Sequence, residues 1–115
     1  MNTTHNLDFL VADWTNPEWK RFKVGTCFGL WNSTPTSYQI LAIVNDKPGN
    51  GHFEDVLQWF EASCRREGKD FVFIEVWNRR FLKHLIRKRG FKKVKTENQI
   101  NAVKKFRPPL PGVLI

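Results

Sequence analysis

The chain has 115 residues, 41% of them hydrophobic, with ten phenylalanines and five tryptophans. That suffices for one domain with a substantial apolar core and excludes a disordered chain. Its formal net charge is +8, no apolar run approaches the roughly eighteen residues of a membrane span, and Met1 to Leu10 lack the basic start and apolar run of a signal peptide, so a cytoplasmic protein with no membrane association is expected.

Leu7 to Arg21 mix Trp14, Pro17 and Trp19 with polar residues and show no definite period, with room for one short helix. From Phe22 to Trp31, Val24, Thr26, Phe28 and Leu30 alternate with the small residues Gly25, Cys27 and Gly29, which predicts one strand. The turn-rich stretch Asn32 to Ser37 leads into a second strand, Tyr38 to Asn45, and the pair reads as an antiparallel hairpin. From Gly51 the period becomes helical. Phe53, Val56, Leu57, Phe60 and Cys64 share one face, and Gly68 stands where a left-handed cap would end the helix.

Asp70 to Trp77 are almost wholly apolar except for Glu75, the pattern of a strand covered on both faces. Asn78 then caps a second helix with an inner stripe of Phe81, Leu82, Leu85 and Ile86, closed by Gly90. Lys92 to Lys95 and Ile100 to Phe106 pair as a final hairpin. Residues 1–106 thus form a single domain, and the proline-rich residues 107–115 form an arm. Cys27 and Cys64 lie inside a strand and a helix without the Cys/His spacing of a zinc site, so they read as reduced, buried thiols and no metal is expected.

Charge is unevenly distributed. Between Arg79 and Arg107 twelve basic residues face one acid, Glu97. This one-sided field suits a polyanionic cofactor, a nucleic acid or an acidic protein, or simply marks solvated outer faces.

The segment Lys47-Pro48-Gly49-Asn50-Gly51-His52 follows the apolar run Ile40 to Val44 and opens a helix, whose free amides and dipole would face an anion. Together with Ile43-Val44, Phe73-Ile74-Glu75-Val76 followed by Asn78, and a helix ending Lys88-Arg89-Gly90-Phe91, the series resembles the GNAT superfamily of acyl-CoA N-acetyltransferases over residues 38–106. The resemblance implies an α/β (α+β) fold: a mixed, mostly antiparallel twisted sheet with two core helices and an abbreviated N-terminal region. It also implies acetyl-CoA as co-substrate, with its pyrophosphate on the amides of residues 46–51. Three features depart from the family pattern. Asp46 occupies the usual Gln/Arg position of the turn, Ile86 stands where a Tyr often protonates the leaving thiolate, and few residues precede Phe22 to wall an acceptor site.

The expected cofactor-binding residues are Ile43, Val44, Lys47, Gly49, Asn50, Gly51, His52, Phe53 and Asn78, and the expected catalytic residues are Glu75 and His84. Glu75 would take the proton of an ammonium acceptor, or else form a structural ion pair; His84 would replace the missing tyrosine. His52 would touch a phosphate or merely stand at the helix start. Trp31, Trp59 and Trp77 fit a core or an interface.

Three functions follow. The first is transfer of an acetyl group from acyl-CoA to an amine on a protein or small molecule. The second is a catalytically inactive descendant serving binding or assembly, for example in a phage particle. The third is nucleic-acid binding through residues 79–107. The last hairpin and the apolar residues Val113 to Ile115 also make a homodimer plausible.

Overall fold

The computed structural model describes residues 19–106; the N-terminal segment and the proline-rich arm expected from the sequence lie outside them. Six strands and two helices follow one another: β1 (Lys20–Val24), β2 (Cys27–Ser33), β3 (Ser37–Asn45), α1 (His52–Glu67), β4 (Asp70–Phe73), α2 (Arg79–Lys88), β5 (Lys92–Lys95) and β6 (Ile100–Lys104). The strands form one sheet in the order β1-β2-β3-β4-β6-β5, antiparallel throughout except for β3 and β4.

The single strand expected over Phe22 to Trp31 is two. Val24 pairs with Cys27 across a two-residue turn, and Gly25 at φ 57° supplies the positive dihedral that such a turn requires. The chain therefore begins as a three-stranded meander. The turn also shifts the parity of the side chains: Phe22, Val24, Cys27 and Trp31 are buried, whereas Phe28 is exposed.

α1 packs on the face that these residues present. Val56, Leu57, Phe60 and Cys64 are buried on its inner side, and Gly68 at φ 67° closes it. Phe60 is the hub of the core, with Phe22, Trp31 and Phe71 ring centroids at 5.7, 5.7 and 5.4 Å. Phe71 and Phe73 of β4 meet Phe91, and Phe73 also meets Phe81 of α2, so one layer of aromatic rings joins both helices to the sheet. Asn78 caps α2 by accepting the Phe81 amide proton at 3.0 Å. Leu85 is fully buried on that helix, while Ile86, expected on the inner stripe, is 37% exposed.

Among the described residues no helix is long and apolar enough to cross a membrane.

Candidate functional site

β3 and β4 run parallel only from Ser37 and Asp70 to Ile40 and Phe73, and the Ile74 amide donating to the Ile40 carbonyl at 2.9 Å is their last link. Beyond it the chains separate. β3 carries a bulge, since Trp31 pairs with Ile40 and Leu30 with Ala42, leaving Leu41 unmatched. The other chain is drawn toward β6, where the Val76 amide donates to the Ile100 carbonyl at 2.7 Å. The result is a gap of about 230 Å³ between residues 40–44 and residues 73–78.

On the helix side the gap adjoins a cavity of about 650 Å³, with which it shares Ile43, Asn78 and Phe81. On the opposite face it shares Ala42 and Val44 with an apolar groove of about 600 Å³ over β1 to β3. The gap thus adjoins open space on both faces of the sheet.

The first turn of α1 forms one wall of the larger cavity. Its cap residue, Gly51, is left-handed at φ 86° and has no side chain to bond the amides that follow, the first of which, His52, donates to Asn50 Oδ1 at 3.3 Å. Gly49, at φ 94°, shares this conformation, and a Cβ added at either glycine would meet no atom within 4 Å. The backbone here is open to a ligand, at a helix start where amide hydrogens and the dipole favour an anion.

α2 forms the facing wall. His84 and Arg89 line the cavity with Phe53, Phe81 and Glu54. Arg89 donates from Nε to His84 Nε2 at 3.1 Å and grips both carboxylate oxygens of Glu54 with its terminal nitrogens. Since guanidinium only donates, His84 Nε2 must accept, so the neutral ring carries its proton on Nδ1.

Of the residues expected to hold a cofactor, Ile43, Gly49, Gly51, Phe53 and Asn78 line this cavity together with His84. Four others do not. Val44 points to the opposite face, and Lys47 is exposed. Asn50 turns its amide nitrogen to Thr26 Oγ1 at 3.1 Å. His52 accepts the Thr26 amide proton on Nδ1 at 3.0 Å, which ties α1 to the β1–β2 turn.

Glu75 is not strand-borne, because β4 ends at Phe73. It lines the gap in a left-handed conformation, φ 56°, and is exposed. Its amide donates to Asn101 Oδ1 at 3.0 Å and its carboxylate accepts from Gln99 Nε2 at 3.3 Å, so β6 and the preceding turn fix its position. Trp77, which fitted a core or an interface, is 64% exposed at the edge of the same gap.

The single tyrosine of the chain, Tyr38, lies in the core and outside the cavity lining. It donates to Glu67 Oε2 at 2.5 Å, and burial, followed by the Glu67 carboxylate, pushes its hydroxyl up to about 12. Burial likewise pushes the free thiols of Cys27 and Cys64 up to about 11 and about 12, leaving them inert near neutrality.

In the sequence Arg89 stands out only as one of the basic residues of the 79–107 segment and in the helix-ending series Lys88-Arg89-Gly90-Phe91, not as a cavity residue. The signal was present, for Phe81, Leu85 and Arg89 recur at every fourth position on one helical face.

No protein-family model matches the sequence, nor does any curated protein sequence. Among solved structures, the crystal structure of Ard1 from Thermoplasma volcanium superposes with a TM-score of 0.57 at 13% identity, covering 83% of this chain and 74% of that one. The fold is GNAT-like. In this chain β3 and β4 part beside the glycine-opened helix α1.

Proposed function

We propose that the chain is an acyl-CoA-dependent N-acetyltransferase acting on an amine. The observation that supports this best is the gap between β3 and residues 74–78, adjoining the cavity at the α1 start on one side and an open groove on the other. A molecule with a phosphate end and a thioester end suits such a site: pyrophosphate at the α1 start, on the first-turn amides beyond His52, and the thioester in the gap.

Catalysis would then be mainly positioning. Acetyl-CoA would enter from the helix side and the amine from the other face, so that nucleophile and carbonyl carbon meet where the sheet is open. A backbone amide near Val44 or Asn45 would polarise the thioester carbonyl. Glu75 would take the ammonium proton, freeing the nitrogen lone pair for attack. The new C–N bond forms as the C–S bond breaks, and the surplus proton on the nitrogen passes to the thiolate, which departs toward α2 as the thiol. There the His84 Nδ1–H supplies a hydrogen bond to the developing charge, a role compatible with a ring whose other nitrogen is occupied by Arg89.

The test is calorimetric titration with acetyl-CoA, with CoA and ADP as controls. Micromolar binding, lost in Gly49→Leu or Gly51→Leu variants that remain folded by circular dichroism, supports the reading; absence of acetyl-CoA binding overturns it.

The competing reading is an inactive descendant of the fold kept for binding or assembly. It is favoured by one observation: the only tyrosine is sequestered on Glu67, away from the cavity. Acetyl-CoA binding without turnover on any amine would select it.

A further inference from the structure

The outer face of α2 carries a stripe that the cavity does not use. Arg79, Arg80, Lys83 and Arg87 fall within about a third of the helix circumference, and all four are exposed. Arg79, Lys83 and Arg87 succeed one another at four-residue intervals, about 6 Å of rise each. Among the described residues, none of the four enters an ion pair; the cations that do are Arg65, Arg66, Lys69, Arg89 and Lys104. No acid lies in the first turn of the helix, although its N-terminus would favour one.

β5 extends the positive surface. It is the sheet edge beside β6, it touches α2, and its residues Lys92, Lys93 and Lys95 are exposed. Lys93 pairs with the buried Ala102, which places it on the helix side of the sheet.

We propose that this face docks the phosphate backbone of a nucleic acid without reading its sequence. The stripe presents evenly spaced cations, with the partly exposed Ile86 at one margin and no apolar side chain among them, which fits a regularly charged polymer. A folded acidic protein would need an apolar centre in the contact. Cations at even spacing meet phosphates whatever the bases, so affinity comes from counterion release and is steeply salt-dependent. The inference stands on a surface separate from the cavity and does not depend on acetyl-CoA binding.

The experiment is fluorescence-anisotropy titration of the full chain with a 20-mer DNA duplex between about 50 and about 200 mM salt, repeated with poly-glutamate as a non-nucleic polyanion. Four phosphate contacts predict an affinity loss of about a hundredfold across that range. In the triple variant Arg79→Gln, Lys83→Gln, Arg87→Gln, confirmed folded by circular dichroism, the slope of log affinity against log salt should fall by about three. A flat salt response, a slope unchanged in the triple variant, or equal affinity and slope for poly-glutamate would overturn the proposal.

Discussion

Arg89, one residue past α2, holds the carboxylate of Glu54 in the first turn of α1 with both terminal nitrogens, and its ring-facing Nε holds His84. The link spans the cavity from α1 to α2. It also engages Arg89, the guanidinium that lines the cavity among the described residues, with an acid of the chain itself. Replacing the acid should release the cation. Glu54→Gln is expected to tighten acetyl-CoA binding several-fold by calorimetry, while Arg89→Met weakens it; an affinity unaltered by Glu54→Gln would show that Arg89 does not face the ligand. Both changes should cost under about 1 kcal/mol of stability, because the pair is partly exposed.

Glu75 is positioned by hydrogen bonds at its amide and its carboxylate, so a change confined to the charge can be made without moving the backbone. Glu75→Gln is expected to lower acetyl transfer by about a hundredfold or more while leaving acetyl-CoA affinity unchanged. Equal turnover in the variant would remove Glu75 as the base.

His52 lies on Gly25, where an added Cβ would come within 2.1 Å of the ring, at a φ of 57°. His52→Ala is expected to cost about 1 to 2 kcal/mol in urea denaturation through the lost Thr26 bond. Gly25→Ala should cost more. The double variant should be less unstable than the sum of the two, because removing the ring relieves the clash. Strict additivity would mean that the contact contributes nothing.

The Tyr38–Glu67 bond has two pH signatures of opposite sign. The Tyr38 hydroxyl is raised from 10.0 to about 12 in the folded chain, so its contribution is complete below about pH 10 and is lost as pH rises toward 12. Glu67 is lowered from 4.5, chiefly by the Tyr38 hydroxyl and then by Lys69, so its contribution is present above about pH 4.5 and is lost on acidification below it. Tyr38→Phe should flatten both limbs of the stability profile measured by thermal unfolding. A profile identical to the parent in both limbs would contradict this.

Much of this arrangement is legible from the residues alone. The α1 stripe, the Gly68 stop, the Asn78 cap and the glycine turn before α1 each have a local physical cause that acts within a few positions. What escapes is governed by distant contacts. Gly25 reads as a small residue in a strand because nothing nearby marks the turn; His52, far along the chain, seals it. Ile74 to Trp77 remain apolar enough to prolong β4, yet the hydrogen bond from the Val76 amide to Ile100 of β6 draws them off β3. The candidate site is half-readable for the same reason: its glycines and Phe53 announce themselves, whereas the orientations of Asn50 and His52 are decided by Thr26.

The brevity of β4 also bears on how the chain assembles. β1 to β3 and β5 to β6 are zipped by neighbours in sequence and can form early. Four residues, Asp70 to Phe73, must then bridge them, bonding to β3 across an entire helix and to β6 across another. That closure joins the strand residues farthest apart in sequence within the described sheet, so it carries the largest loop-entropy cost of any strand pairing there. The same seam ends where the gap begins, so the gap exists only once the most distant strand pairing of the sheet has been made.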